Sequence, residues 1–558
     1  MPNTLAYFVL LAYPIVAIVL FRRCSLPVAL IWTILAGYLF IPERTFLDLP
    51  LIPALDKVSI PGIAAAVMCY VASRRKALFD RNVAGRSKRA PARPAKTTNQ
   101  DSNLETNPES TLQASPLQAS QRAQRHRADL PPRVSKKVPR RAGKLFNICA
   151  VVTVFVPFLL YFNNSTPFFV GSRLVRGFSL YDASSFAMAS AIMLIPFFLA
   201  RKYLGAPGAH QALLRALLVG GLTYSLLMLI EVRLSPQLNV WLYGFFPHSF
   251  VQHVRDGYRP IVFLEHGLRV GIFICMCFLS SVALWRVSTL QKTGKYLLFA
   301  GWLFIILIFS RNLGATLIAL LFLPAVAFFG VRGQLLFAAI LGGVVLFYPM
   351  LRGSGLIPIT TISQVATSID NNRGASLAFR LENEDAVLNR AQQKPLFGWG
   401  GMGRWMVYDQ ETGQRLTVSD GAWIITIGQN GWVGYLARFG LLALPLSLLA
   451  YRRRELGLDR ATSGLALILA ANLVDMIPNS AMVPITWLIA GALVGRYEYR
   501  GISTEDAQVA PQRQDQRPAR TDPDRDNPRL KGSPSRKPPL PARSGAAMPS
   551  SLPLRRPT

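Results

Sequence analysis

Apolar runs recur along most of the chain, separated by short polar or basic connections. A helix that crosses a membrane needs about 17–25 predominantly apolar residues. Candidate runs lie near 4–21, 25–41, 58–73, 145–163, 183–200, 212–231, 260–285, 294–310, 313–330, 334–350, 432–451, 461–477 and 482–496. The pattern predicts an all-α, polytopic transmembrane helix bundle of about thirteen spans. No run alternates apolar and polar residues in the segments of about ten that a membrane barrel requires, and no internal repeat is visible. The predicted order is a three-helix N-terminal membrane segment over 1–73, a linker over 74–144, a polytopic membrane domain over 145–499 and a tail over 500–558.

Basic residues orient such a bundle, because short loops rich in Lys and Arg stay in the cytoplasm. Arg22-Arg23, the 74–144 linker, Arg201-Lys202, the stretch from Arg286 to Lys295, Arg332 and Arg452-Arg453-Arg454 fall on one side when the spans alternate. The other side receives the N-terminus and the connections near 42–57, 164–182, 232–259 and 351–431. The last of these is not of low complexity and is predicted to be a folded outer loop. The first apolar run precedes its arginines, the reverse of a signal peptide, so it is predicted to be an uncleaved span. The predicted orientation has the N-terminus outside and the C-terminus cytoplasmic.

Composition agrees with lipid as the main solvent: 51% of the 558 residues are hydrophobic and 16% charged, with a mean hydropathy of +0.30. Soluble domains carry about 25% charged residues. A net charge of +32 would suggest nucleic acid if it lay on a folded soluble face. Over half of it lies instead in the linker, with about 18 Lys/Arg against about 5 acids, and in the tail, with about 12 against about 6. Both segments are rich in Pro, Ser, Gln, Arg and Ala and are predicted to be disordered, since they cannot bury enough apolar area to offset their ordering entropy. Arg536-Lys537-Pro538-Pro539-Leu540-Pro541 reads as a solubilising Pro-rich tail or as a polyproline ligand. Membrane lipids are the expected partner of the basic segments, and nucleic acid is not. Cys24, Cys69, Cys149, Cys275 and Cys277 lie in or beside apolar runs, with no disulfide framework or zinc set around them.

Ionisable residues at the edge of hydrocarbon are costly and therefore informative. The densest group is the stretch from Arg255 to Arg269. Pro260 suits a first helical position, which would put Arg259 at a helix N-terminus favourable to anions, with His266 two turns deeper on about the same face. Three plainer readings stand beside this one. Glu265 and Arg269 neutralise each other at i,i+4 spacing, Arg259 is a snorkelling anchor, and His266 is a hydrogen-bonded core residue. Ser310-Arg311-Asn312 interrupts an apolar stretch too long for one span, and the turn there would set Arg311 on the same side as Arg259. Two guanidiniums facing one outer cavity suit a diphosphate.

In the outer loop, 376–390 carries apolar residues at Leu377, Leu381 and Leu388 in a helical stripe that Lys394-Pro395 ends. Gly398-Trp399-Gly400-Gly401-Met402-Gly403 then forms a turn whose backbone could approach a ligand closely, without the lysine of a nucleotide loop. Asp420 is a candidate base just above the membrane.

Together these pieces resemble the bacterial O-antigen ligase and polymerase family of envelope glycosyltransferases over roughly 210–450. The resemblance rests on Arg259-Pro260 with His266-Gly267, Ser310-Arg311, the run from Arg380 through Pro395-Leu396-Phe397-Gly398-Trp399-Gly400, and Ile427-Gly428-Gln429-Asn430-Gly431-Trp432-Val433-Gly434-Tyr435. It implies a metal-independent, cofactor-free transfer of glycan from an undecaprenyl-diphosphate-linked oligosaccharide to a glycan or lipid-linked acceptor, with polysaccharide-assembly proteins as further partners. By position, Arg259, Arg311 and Arg380 would stabilise the diphosphate leaving group, with Glu382, Arg390, Gly398 and Gly400 lining the substrate site. A His-Asn pair common in the family after the glycine turn is replaced here by Ser419-Asp420-Gly421. The base therefore stays open among Asp420, His266 and Glu382. A non-enzymatic flippase or transporter of polysaccharide precursors is the alternative, although transporters concentrate polar groups near the midplane. A scaffold that recruits partners through its Pro-rich tail would leave the outer arginines unexplained.

Overall fold

The structure, a computed structural model, describes residues 1–49, 52–89, 140–254, 257–288, 293–369, 371–480 and 482–499. Most of the predicted disordered linker, the whole predicted tail with its Pro-rich stretch, and Arg255-Asp256 lie outside these residues. Helices α1 (Thr4–Arg23), α2 (Leu26–Phe40) and α3 (Ser59–Arg89) come first. They are followed by α4 (Arg140–Asn164), α5 (Leu180–Tyr203), α6 (Pro207–Leu234) and the short α7 (Leu238–Tyr243) and α8 (Val251–Val254). Next are α9 (Gly267–Val287), α10 (Thr293–Phe309), α11 (Leu313–Phe328) and α12 (Val331–Gly353). The long connection after α12 holds α13 (Ile359–Ile369) and α14 (Asn371–Gln392), and the chain then runs through α15 (Ala422–Tyr451), α16 (Arg453–Leu456), α17 (Arg460–Asp475) and α18 (Pro484–Glu498). Two small antiparallel hairpins, β1 (Leu47–Leu49) with β2 (Ile52–Leu55) and β3 (Phe168–Val170) with β4 (Arg173–Val175), decorate the connections.

Among the described residues, α1, α4, α5, α6, α9, α12 and α15 are long and apolar enough to cross a membrane. Large apolar side chains stand exposed along the outside of the bundle, including Phe8, Leu11, Ile15, Val151, Phe155, Leu298, Leu317, Leu321, Ile340 and Phe347. A belt of that extent has lipid as its natural solvent. The chain is an all-α membrane protein. Every predicted run falls on a helix, but not every helix has the length of a span. The apolar helices α2, α10 and α11 have 15, 17 and 16 residues, and at about 1.5 Å per residue they fall short of a hydrocarbon core of about 30 Å.

Helix α9 is the axis of the bundle. It packs against α6, α10, α11 and α17, and nearly all of its length is buried. That explains its uniformly apolar composition, since a helix surrounded by others needs no polar face.

Hydrogen bonds and ion pairs sort the connections to two opposite ends. At one end, Arg201 pairs with Glu498 and donates to the Gly143 carbonyl, Arg460 donates to the Arg286 carbonyl and Arg496 to the Leu456 carbonyl. At the other, Asn3 bonds the Leu242 and Tyr243 carbonyls, Lys57 reaches the Phe263 carbonyl, Arg404 reaches those of Thr166 and Arg176, and Ala422 N–H donates to Met476 and Asn479. These contacts join the connections near 143, 201, 286 and 456 to one another, and those near 57, 166–176, 242, 263 and 404 lie at the other ends of the same helices.

Three boundaries differ from expectation. The linker margins predicted to be disordered are helical, with α3 running to Arg89 and α4 beginning at Arg140; Arg, Lys and Ala are good helix formers once a span has supplied the costly first turns. The outer loop predicted to last until 431 closes at Ala422, and Gly431 (φ 62°, ψ −168°) breaks α15 where the span was expected to start. The helix expected from Pro260 begins only at Gly267.

Candidate functional site

The late start of α9 is caused by a buried carboxylate. Glu231, near the end of α6, accepts the N–H groups of Ile261 (2.8 Å), Val262 (2.7 Å) and Leu238 (3.0 Å), while the Tyr224 hydroxyl accepts that of Phe263 (3.0 Å). Backbone donors held this way are not free to continue a helix. Val262 is forced to φ 51°, rare for a β-branched residue. Arg259 and His266 thus sit on an extended, pinned segment and not along one helix face, which corrects the predicted stacking of His266 beneath Arg259. The Arg259 stem crosses the start of α9 instead: a Cβ on Gly267 would lie 2.5 Å from its Cδ.

Replacing Glu231 by alanine strips the acceptor from three backbone donors, each worth about 1–3 kcal/mol when left unpaired in a buried place. The expected result is a large drop in the melting temperature of the detergent-purified protein, with Glu231→Gln intermediate because its amide keeps one acceptor oxygen. Wild-type melting of the alanine variant would refute this account of the segment.

Arg259 Nη2 donates to the Arg311 carbonyl (2.9 Å), joining the pinned segment to the turn between α10 and α11. The turn stands where the sequence predicts it. Arg311 adopts φ 53° and is exposed, with its guanidinium lying against Gly257, where a Cβ would meet Nη2 at 2.4 Å. Asn312 caps α11 through Ala315 N–H (3.2 Å) and donates to the Leu268 carbonyl (3.2 Å), so the turn is tied to α9. Arg380 of α14 pairs with Asp420 at 3.4 Å, both partly exposed. Burial first, and then the like charge of Arg380, lowers the Arg259 pKa. Arg259, Arg311, Arg380 and Asp420 therefore belong to one neighbourhood at one end of the bundle.

Three histidines stand beside it. His253 is buried; its Nδ1 bonds the Ser249 carbonyl (2.9 Å) and its Nε2 accepts Gly267 N–H (3.3 Å). His266 is the N-cap of α9, accepting Leu268 N–H on Nδ1 (3.0 Å). His248 edges onto His266 with ring centroids 4.6 Å apart. Burial is the main cause that pulls the His266 pKa down to about 3, with His253, His248, Arg259 and Arg269 adding to it. The His253 pKa is lowered as well, again chiefly by burial. Both rings are neutral at pH 7. The lone pair on His266 Nδ1 is occupied by its cap, which removes it as the readiest base.

The remaining predicted residues divide. Glu265 and Arg269 form the expected pair at 2.7 Å, and Arg269 also approaches Glu43 at 3.6 Å, which Lys57 pairs at 3.2 Å. Glu382 is exposed on α14, whose buried face is centred on Asn383, Glu384, Val387, Leu388 and Ala391, one step round from the predicted stripe. Arg390 donates through Nε and Nη2 to the Arg404 carbonyl (3.1 and 3.0 Å) and stacks on Trp399 at 4.0 Å. Its fork is committed to the fold. The glycine turn approaches its own chain where a ligand was expected: Trp399 and Gly400 N–H donate to the Gly428 and Gln429 carbonyls (both 2.9 Å), and a Cβ on Gly398 would lie 2.6 Å from Gly431 N.

Sequence reasoning singles out His266 alone and misses His248, His253 and Glu231. The spacing of the histidines within one polar connection is the signal that could have joined them. Nothing in the sequence ties Glu231 to Val262. Arg438, inside α15, is missed as well; it is half-buried and has no hydrogen-bond or ion-pair partner among the described residues. Compared with known proteins, the chain matches no family model and no curated relative.

Proposed function

We propose that the protein transfers a glycan from an undecaprenyl-diphosphate-linked donor to an acceptor sugar at the outer face of a bacterial inner membrane, as a polymerase or ligase. The observation that carries this reading is the gathering of Arg259, Arg311 and Arg380 from three separate parts of the chain at one end of the bundle, with Asp420 beside them. Guanidinium groups suit the paired oxygens of a diphosphate. The exposed Arg380–Asp420 pair is of the kind worth little in solvent, so a phosphate can replace its carboxylate.

In the reaction, an acceptor hydroxyl attacks the anomeric carbon and the bond from that carbon to the diphosphate oxygen breaks, leaving its electron pair on the diphosphate. The arginines stabilise that developing charge. The hydroxyl proton goes to Asp420, since Glu382 faces solvent and the His266 lone pair is engaged. About thirteen spans, with the basic end in the cytoplasm, complete the reading; the short helices α17 and α18 are almost wholly buried, so lipid does not meet their lengths.

Purified protein supplied with lipid-linked oligosaccharide is expected to join glycan to acceptor. Movement of the lipid between leaflets without transfer would establish the flippase instead. Orientation is checked separately in intact cells: cysteines introduced at 245 and 410 are expected to react with an impermeant maleimide, and those at 332 and 454 only after permeabilisation. The reverse labelling would place the arginine end in the cytoplasm and remove the proposed site.

A further inference from the structure

We infer that His248, His253 and His266 bind one divalent transition-metal ion of the zinc class. Three of the five histidines of the chain meet here, each from a different element: the connection after α7, the short helix α8 and the N-cap of α9. One donor atom from each lies within 4.8 Å of the others. The rings meet edge-on and not stacked, with interplanar angles of 90°, 65° and 73°.

Two further observations separate this cluster from a chance meeting of rings. The Ser249 carbonyl accepts the Nδ1 proton of His253, which turns the Nε2 lone pair inward; a backbone carbonyl in that position is the usual outer support of a metal-bound imidazole. His248 Nδ1 is buried and has no hydrogen-bond partner in the structure. A buried nitrogen without a partner is costly, and a metal bond satisfies it.

Imidazole nitrogen favours zinc, copper, nickel and cobalt over calcium and magnesium. Tetrahedral coordination with Zn–N of about 2.0–2.1 Å needs donors about 3.4 Å apart, so the rings close by about 1.4 Å from the upper separation. His248 lies in the connection between α7 and α8, outside both helices. His253 Nε2 accepts the N–H of Gly267 and His266 Nδ1 that of Leu268, so a nitrogen of these two that engages the ion gives up its backbone donor. Three neutral ligands leave the fourth position to water or an anion, and the ion keeps its double positive charge beside Arg259. The assignment is independent of glycan transfer, because it uses only the histidines and their backbone partners.

The test uses full-length, tag-free protein purified in detergent and stripped with a chelator. Titration with Co²⁺ is expected to give one ion per chain with the visible d–d absorption of a low-symmetry imidazole site, and Zn²⁺ is expected to displace it and raise the melting temperature. His248→Ala and His253→Ala should each weaken Co²⁺ binding at least about tenfold, while His126→Ala binds normally. His253 Nε2 also accepts the Gly267 N–H at the start of α9, so its variant can fail to fold; His248 Nδ1 has no hydrogen-bond partner among the described residues, and the His248 variant keeps the test decisive. Absence of stoichiometric Co²⁺ from the wild type, or equal binding by His248→Ala, would overturn the site whatever the transfer assay shows.

Discussion

Arg259→Lys, Arg311→Lys and Arg380→Lys each lower glycan transfer at least about tenfold, a loss of about 1.4 kcal/mol of transition-state stabilisation. A guanidinium that only anchors the chain to an interface needs a positive charge on a long stem, and lysine provides both. A guanidinium that grips a diphosphate needs planar, paired donors, which an ammonium lacks. Arg259 already spends one nitrogen on the Arg311 carbonyl, so its remaining donors are held in a fixed direction. Arg380 is oriented by Asp420. Expression and melting temperature stay near wild type, because the groups are exposed or half-exposed and lysine can still reach the same partners. Arg453→Lys is the control: Arg453 lies at the opposite end and donates to the Ala450 carbonyl. Full activity in all three outer variants would make the arginines anchors and end the catalytic reading of this surface.

Gly431→Ala unfolds or severely destabilises the protein while touching none of the arginines. At φ 62° and ψ −168° the residue occupies a region of backbone space that only glycine enters without cost, and strain there is about 1–3 kcal/mol. Space is a second obstacle. A Cβ at 431 would lie 2.4 Å from the Leu396 carbonyl carbon and oxygen and 2.6 Å from Phe397 N, all backbone atoms that cannot swing aside as a flexible side chain would. The substitution would unseat the glycine turn, which is held here because Trp432 N–H donates to the Pro395 carbonyl (2.8 Å) and Val433 N–H to that of Leu396 (3.1 Å). Fluorescence-detected size exclusion and thermal unfolding in detergent should show aggregated or low-melting protein. Gly294→Ala, at a position open on all sides, should behave as wild type. A well-behaved Gly431→Ala protein would mean that the break in α15 is not required.

Much of the architecture is written in the sequence because lipid is a demanding solvent. Every backbone polar group inside hydrocarbon must be paired within its own segment, so each apolar run can only be a helix, and lysines and arginines between the runs sort the connections to two ends. The turn at Ser310-Arg311-Asn312 was legible for a local reason, since an apolar stretch too long for one span must turn; the Glu265–Arg269 pair forms as expected, although Glu265 lies before α9 begins at Gly267. Tertiary structure decided the rest. Pro260 favours a helix start locally, yet Glu231, thirty residues earlier, takes the backbone donors and delays α9 to Gly267. The glycine turn looked ready for a ligand, but glycine reports only that something comes close, and here it is the 428–433 backbone. Arg390 and Arg380 are both basic residues of one helix; which of them is committed to the fold and which stays near Arg259 depends on the neighbours of α14 and not on its own sequence. His248 and His253 join His266 for the same reason. Spacing along a chain fixes neighbours only within a helix or strand, and a connection free of both can bring its side chains together wherever distant partners pin it.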